Sequence, residues 1–164
     1  MAAGATSAAG RRVLRNFVDG AYVDTESGLT SDLIDPSTGE VFASAPISEG
    51  ADVDRAMHAA ERAFEIWRDA TPSVRQRALL RIADAIEARA EEIVAAESQN
   101  TGKPLSLTAS EELPPMVDQI RFFAGAARVL EGTAAGEYLA GHTSFIRREP
   151  IGVCGAPITA IMLL

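Results

Sequence analysis

The longest helical pattern of the chain is TPSVRQRALLRIADAIEARAEEIVAAESQNTGKP, residues 71–104. Thr71 is a suitable N-cap, and Pro72 suits the first helical position because its missing N–H would have no intrahelical partner there. Gly102, with Pro104 beyond it, predicts the end of the helix. The stretch therefore predicts one long helix with an apolar and a charged face. Its apolar stripe comprises Leu79, Ile82, Ile86 and Ile93, and its solvated face carries Arg75, Arg77, Glu87, Arg89 and Glu91.

On the N-terminal side, the pattern predicts a further helix preceded by two hairpins. Between residues 52 and 69 apolar side chains recur every three or four positions, which is helical spacing. Asp52 and Asp54 would complement the positive end of that helix. Asp19-Gly20 between two short apolar runs predicts a type I′ turn, and residues 35–39 predict a second hairpin between 33–34 and 41–43. The helical stripe consists of Val53, Met57, Ala60, Phe64 and Trp67.

On the C-terminal side, the pattern predicts a third helix and a third hairpin. The helix begins near Pro114-Pro115 and is stopped by Gly132. Residues 137–147 have strand character around the turn Gly141-His142, and strand character returns at 151–154. The stripe of the third helix consists of Met116, Ile120, Phe123, Ala127 and Leu130.

Composition excludes several classes of protein. The chain has 164 residues, 47% of them apolar, and a formal net charge of -8. An acidic protein has no general affinity for nucleic acid or for an anionic membrane. Because Cys154 is the single cysteine, no intrachain disulfide can form, and a cytoplasmic location is expected. The apolar run at residues 151–164 is shorter than the roughly 20 residues of a spanning helix.

The residues with chemical potential do not form a recognisable constellation. His58 and His142 lack the paired spacing of a metal site, and each is expected at the surface or partly buried. Cys154, without partners in sequence, is expected to be a small buried hydrophobe rather than a nucleophile. Trp67 is expected to anchor the core.

Two further features are also expected to be structural. Gly152-x-x-Gly155 is not a dinucleotide-binding G-x-G-x-x-G pattern. The pair Arg147-Arg148, which is capable of contacting a carboxylate or phosphate, is expected to be a solvated strand end. From the residues alone we therefore predict a mixed helix-and-strand domain with no catalytic, cofactor-binding or metal-binding residue.

The order and spacing of several short strings over residues 13–153 resemble the N-terminal portion of aldehyde dehydrogenases. The strings are Asn16 to Gly20, Asp35 to Val41, Ala60 to Trp67 with Arg75 to Leu80 and Ile82 to Asp84, Glu97 to Pro104, Arg121 to Gly125 and Arg148 to Val153. Within the family, residues 122–128 and 136–139 look most like aminobutyraldehyde and betaine aldehyde dehydrogenases. The resemblance thus implies an aminoaldehyde substrate such as 4-aminobutanal, and a role in polyamine breakdown.

The resemblance implies an α/β fold class: the N-terminal helices and edge strands of the Rossmann-like aldehyde dehydrogenase fold, truncated before the complete parallel sheet. Residues 1–12 are expected to form a flexible tail, 13–153 the family portion and 154–164 a divergent tail. In the family, a cysteine thiolate attacks the aldehyde, hydride passes to NAD or NADP, and a glutamate activates water to release the acid. An asparagine side chain helps to hold the oxyanion.

The chain departs from the family after Val153. No Pro-Trp-Asn follows, and the nucleophilic cysteine, the base and most of the nucleotide-binding fold are missing from the sequence. Neither a catalytic role for Cys154 nor a cofactor is therefore expected for this chain alone, and its apolar faces favour self-association or association with aldehyde dehydrogenase subunits. A frameshift, a truncated gene or a genuine short relative would each explain the departure. Two other functions stay open: a non-catalytic oligomerisation module, because residues 137–149 resemble the family's oligomerisation arm, and an unrelated small helical protein.

Overall fold

The computed structural model describes residues 5–6, 12–133 and 135–156. Strands come first, a block of helices follows, and a hairpin comes last. The strands are β1 (Ala5–Thr6), β2 (Arg12–Val13), β3 (Asn16–Val18), β4 (Ala21–Val23), β5 (Thr30–Ile34), β6 (Val41–Pro46), β7 (Gly136–Leu139) and β8 (His142–Ser144). The helices are α1 (Gly50–Trp67), α2 (Pro72–Ala88), α3 (Ala90–Thr101), α4 (Leu105–Leu107) and α5 (Leu113–Ala126), with a π-helical segment at Thr108–Glu112 between the last two.

The strands of the described residues form three separate sheets. The largest has the order β1-β2-β6-β5, with β2 and β6 parallel and the other two pairs antiparallel. β3 and β4 form a hairpin in which Asp19 (φ 53°) and Gly20 (φ 78°) both have positive φ, as a type I′ turn requires. β7 and β8 pair around Gly141 (φ 75°). All three predicted hairpins are confirmed.

The turn between β5 and β6 is held by its own first residue. Asp35 Oδ1 accepts a hydrogen bond from Ser37 N at 2.8 Å, and the Asp35 carbonyl accepts one from Gly39 N at 2.7 Å. Gly39 has a φ of 75°, which a glycine adopts without steric cost. The predicted second hairpin forms for these local reasons.

The buried core lies where α2, α3 and α5 pack together, and α2 and α5 are in extensive contact. Of the predicted stripes, Ile86, Ile93, Met116 and Ile120 belong to this cluster or pack against it. Burying such side chains contributes roughly 1.5–3 kcal/mol each. The buried members of the cluster are Ala83, Val94, Leu113, Met116 and Val117.

The prediction of one helix over residues 71–102 is wrong, because the chain leaves the helical conformation at Arg89 (φ −115°, ψ 23°). Arg89 N donates to the Ile86 carbonyl at 3.1 Å, and its guanidinium donates two hydrogen bonds to the Glu92 carboxylate at 2.7 and 3.0 Å. The apolar stripe continues across this one-residue break, so side-chain periodicity does not reveal it. Gly102 (φ 76°) does end α3, as predicted.

The third predicted helix is too long at its C-terminus. α5 ends at Ala126, whereas the stripe was extended to Gly132. The N–H groups of Ala127, Arg128 and Val129 donate hydrogen bonds to carbonyl groups of α5. The residues that follow are not helical. Leu130, the last residue of the predicted stripe, is 65% exposed.

Two more predictions fail near the C-terminal end of the described residues. Residues 151–154 form no strand, and among residues 5–6, 12–133 and 135–156 no other strand pairs with them. A strand needs such a neighbour to satisfy its backbone hydrogen bonds. The expected flexible tail lies largely outside the description, at residues 1–4 and 7–11, as does most of the divergent tail, at residues 157–164.

Candidate functional site

Asp52 joins the first strands to α1. Its side chain is 2% exposed and accepts hydrogen bonds from Glu49 N at 3.1 Å, Glu26 N at 3.3 Å and Arg55 Nη2 at 2.9 Å. The bond to Glu49 N forms half of a capping box at the start of α1. The acidic start of the helix was predicted, but Asp52 serves as a buried structural junction.

Lys103 joins the end of α3 to the π-helical segment. Its Nζ donates to Glu97 Oε1 at 3.2 Å and to the two oxygens of Glu112 at 2.9 and 3.1 Å. The hydrogen bonds that Lys103 donates to Glu112, and then to Glu97, raise the pKa of Lys103. The Glu97 side chain is 3% exposed, so Lys103 supplies the charge that this buried carboxylate requires.

Arg121 joins α5 to α2. Its guanidinium donates to Glu87 Oε2 at 2.6 Å and to Asp84 Oδ1 at 3.0 Å. The hydrogen bond from Arg121 lowers the pKa of Glu87, and the two carboxylates raise the pKa of Arg121. These groups are structural links on the solvent side of the α2–α5 contact.

The single cysteine is not the buried hydrophobe that was predicted. Cys154 is exposed, and its Sγ donates only a long bond of 3.9 Å to the Gly152 carbonyl. The neighbouring segment forms no strand, so nothing packs over the thiol. A nucleophilic thiolate is normally found beside a cation or a base, whereas the hydrogen bond of Cys154 within the described chain goes to a backbone carbonyl.

Trp67 was expected to anchor the core, but its side chain is 47% exposed at the end of α1. The rest of the α1 stripe is also poorly covered, with Val53 54% and Met57 36% exposed. The reason is that the main core is built by α2, α3 and α5, whereas α1 contributes only Asp52 and Ala59 as buried residues.

Both histidines lie at the surface, which was one of the two locations predicted for them. The His58 side chain is 71% exposed and lies 3.1 Å from Glu61, and His142 Nδ1 lies 3.1 Å from the Ala140 carbonyl. Within the described ranges, no group of three His, Cys, Asp or Glu side chains is arranged to hold a metal ion. In the same ranges, no helix combines the length and apolar content needed to cross a bilayer.

A cleft of about 560 Å³ lies between the α1–α2 junction and residues 147–152, and we call it the arginine cleft. Four arginines and two carboxylates line it. The pair Arg147-Arg148 was predicted to be a solvated strand end; both residues are exposed, but they lie outside any strand and form one wall of this cleft. The charged lining residues are Arg68, Asp69, Arg75, Arg147, Arg148 and Glu149.

A second cleft, of about 750 Å³, separates the β3–β4 hairpin from α1. Arg62 on α1 crosses its rim and donates to Asp19 Oδ2 at 3.0 Å. Short apolar side chains such as Val18, Ala21 and Ala59 form much of its lining. Two of its charged groups, Arg62 and Asp19, therefore neutralise each other at the rim.

The family is established by comparison with known proteins. The aldehyde dehydrogenase family model matches residues 22–160. Because this is most of the chain, the protein belongs to the aldehyde dehydrogenase family, a family of oxidoreductases.

Solved structures agree with this assignment. A protein from Burkholderia cenocepacia described as an aldehyde dehydrogenase is 36% identical, with a TM-score of 0.80 over 84% of this chain and 28% of that one. An NAD-dependent aldehyde dehydrogenase from Sinorhizobium meliloti is 34% identical, with a TM-score of 0.72 over 79% of this chain and 26% of its own. A point mutant of betaine aldehyde dehydrogenase from Staphylococcus aureus, in complex with NAD+, is 30% identical, with a TM-score of 0.78 over 83% and 28%.

The chain thus spans little more than a quarter of the length of these relatives. The predicted α/β fold class, part of the aldehyde dehydrogenase fold, is confirmed. The likeness to a betaine aldehyde dehydrogenase was predicted from residues 122–128 and 136–139, and such an enzyme is among the similar structures.

Proposed function

We propose that this chain is an N-terminal part of an NAD(P)-dependent aldehyde dehydrogenase and is inactive by itself. The observation that carries the proposal is the match to about 28% of the length of solved family members, two of which are described by their dependence on or complex with NAD. Aldehyde oxidation through a thioester needs a sulfur nucleophile, a base that activates water and a binding site for the dinucleotide. Cys154, the one cysteine, is exposed and contacts only a carbonyl oxygen among the described residues.

The substrate class we propose for the whole enzyme is an aminoaldehyde, such as 4-aminobutanal, oxidised to its carboxylic acid in polyamine breakdown. Support comes from the strings at residues 122–128 and 136–139 and from the betaine aldehyde dehydrogenase among the relatives. Both kinds of substrate combine an aldehyde with a cationic nitrogen. We place the enzyme in the cytoplasm, which suits a chain with a single exposed thiol.

The test is a spectrophotometric assay of NADH or NADPH formation with the purified chain, using 4-aminobutanal and betaine aldehyde. A full-length betaine aldehyde dehydrogenase serves as the positive control. We expect no turnover from this chain with either cofactor. Turnover that disappears in Cys154→Ser would show that the chain carries its own nucleophile, and the proposal would then be wrong.

A second function, a non-catalytic interaction module, is favoured by the β7–β8 hairpin. Tyr138 and Leu139 are 83% and 62% exposed, and Phe145 and Ile146 just after the hairpin are 72% and 60% exposed. Apolar side chains grouped on one exposed element are typical of a protein–protein interface. We propose that this surface binds another copy of the chain or an aldehyde dehydrogenase subunit.

Co-expression of the tagged chain with an aldehyde dehydrogenase subunit tests this second function. We expect co-purification that is lost in Tyr138→Ser/Leu139→Ser. The matched control is Phe122→Ser, which replaces a 65% exposed aromatic side chain on α5 and should leave binding unchanged. Failure of the wild-type chain to co-purify or self-associate would rule the module out.

A further inference from the structure

The arginine cleft is formed by segments that are distant in sequence. Arg68 follows the end of α1, Arg75 lies in the first turns of α2, and Arg147 and Arg148 follow the β7–β8 hairpin. The last segment is held in place by Arg148 Nε, which donates to the Glu131 carbonyl at 3.1 Å. Gly132 also lies directly against the Ile146 carbonyl, with no room for a side chain. The cleft wall is thus fixed by contacts of its own.

The positive charges in this cleft lack carboxylate partners within residues 12–133 and 135–156. The Arg68 guanidinium lies 5.6 Å from the centre of the Phe64 ring, and Arg148 bonds to a neutral carbonyl. Elsewhere in this acidic chain the arginines commonly pair with a carboxylate. Examples are Arg15 with Asp24, Arg55 with Asp52, Arg62 with Asp19, Arg89 with Glu92, and Arg121 with Glu87.

Charge and size together select the ligand class. Four arginines against Asp69 and Glu149 leave two net positive charges in a chain whose net charge is -8. A guanidinium offers paired N–H donors that match the oxygens of a phosphate or carboxylate. The volume of about 560 Å³ is within the range of small-molecule sites, and Leu130 and Ile151 add apolar wall.

The start of α2 adds a weaker contribution of the same sign. Thr71 makes no capping hydrogen bond with its side chain, and its Oγ1 lies 3.1 Å from Ser73 Oγ instead. Pro72 has no N–H, and the N–H groups of Val74 and Arg75 donate to the Thr71 carbonyl at 3.0 and 3.2 Å, so the contribution of this helix start comes from the dipole of α2.

We propose that the arginine cleft binds a small oxyanion with two negative charges, of the phosphate or dicarboxylate class. The site differs from the aldehyde-oxidising site of the proposed function and does not depend on it. Binding neutralises the two net charges and gives Arg68 and Arg147 the acceptors that the chain does not supply. It should weaken as salt is added, because the cleft is open to solvent.

Calorimetric titration of the purified chain with inorganic phosphate tests the proposal. Sodium chloride at matched ionic strength is the reference. A parallel titration with succinate shows whether the cleft prefers a dicarboxylate or a phosphate. We expect that at least one of the two anions, phosphate or succinate, binds saturably with one anion per chain. Arg68→Gln and Arg147→Gln should each raise the Kd about tenfold, as expected for loss of a charge-assisted hydrogen bond.

The matched control is Arg77→Gln, which removes an exposed arginine from the same helix α2 but outside the cleft. Its Kd should equal that of the wild-type chain, and the Kd of Arg147→Lys, which keeps the charge but loses the paired donors, should lie between those of the wild type and Arg147→Gln. Arg147 is exposed and outside any helix or strand, so its substitution leaves the fold intact, which circular dichroism verifies. The proposal is overturned if neither anion binds beyond chloride, or if Arg77→Gln weakens binding as much as Arg147→Gln.

Discussion

Gly102, at the end of α3, lies against Pro36 in the turn between β5 and β6. A Cβ atom at Gly102 would come within 2.9 Å of Pro36 Cγ, and the φ of Gly102 is 76°. Two sequence motifs, the DPSTG turn and the NTGKP helix end, therefore meet in space. This contact joins the N-terminal sheet to the helical core.

Gly102→Ala should lower the free energy of unfolding by at least about 1–2 kcal/mol, the cost of a left-handed conformation for a residue with a Cβ. The close approach to Pro36 adds to that cost. Chemical denaturation followed by circular dichroism measures the change.

Gly39→Ala is the matched control for this substitution, since Gly39 has a φ of 75° but open space around its Cβ position. It should cost less than Gly102→Ala. Pro36→Ala, which removes Cγ, should recover part of the loss when combined with Gly102→Ala. Equal losses in the two glycine variants, without recovery in the double variant, would mean that the Pro36 contact is energetically unimportant.

Asp52→Ala should reduce the free energy of unfolding by about 1–2 kcal/mol, which is at the upper end for a helix cap. The reason is that Glu49 N, Glu26 N and Arg55 all lose the carboxylate that they bind. Asp54→Ala, which replaces an exposed carboxylate two residues further along α1, is the control and should change stability little. If both variants unfold alike, the buried junction contributes nothing beyond the helix dipole.

The ion pairs of Arg121 predict a dependence of stability on pH. Arg121 lowers the pKa of Glu87 below its ordinary value of 4.5. The unfolded chain therefore binds a proton at higher pH than the folded chain, so the contribution is present above pH 4.5 and is lost as the pH falls through the lowered value.

Arg121→Gln should accordingly destabilise the chain at neutral pH and make little difference in acid. Unfolding curves of both proteins across this range give the comparison. Glu91→Gln, on the exposed surface of α3, should leave the pH profile unchanged. A difference between wild type and Arg121→Gln that stays constant into acid would mean that Glu87 is not stabilised by Arg121.

Cys154 should react with a thiol reagent such as dithionitrobenzoate as rapidly in the native chain as in the unfolded chain. The reason is its exposure and the absence of packing over Sγ in the described structure. Stopped-flow absorbance gives both rates and one thiol per chain. If Cys154 reacts slower by orders of magnitude in the native chain, its thiol is buried, as was predicted from the sequence.

Short sequence motifs were sufficient to predict the turns and several of the helix ends. The Asp19-Gly20 turn, the DPSTG turn and the Gly102 helix end were predicted because each depends on the φ preference of particular residues. The Arg89 break was missed because the apolar stripe continues through it. The end of α5 was missed because Leu130 keeps the helical spacing although the helix has already ended.

The tertiary contacts between helices and between distant segments could not be predicted from the sequence. Trp67 fits helical spacing, yet the core forms on α2, α3 and α5, so spacing did not reveal which stripe would be covered. The arginine cleft was missed because Arg68 and Arg147 approach each other only through the fold. The Arg147-Arg148 pair was the one available signal.

Binding of NAD+ to the purified chain tests the central claim most directly. The claim is that this part of an aldehyde dehydrogenase lacks an organised dinucleotide site of its own. Calorimetric titration with NAD+ should give no saturable binding beyond what inorganic phosphate at the same concentration produces at the arginine cleft. Saturable, micromolar binding of NAD+ that persists in Arg147→Gln and in excess phosphate would contradict the claim.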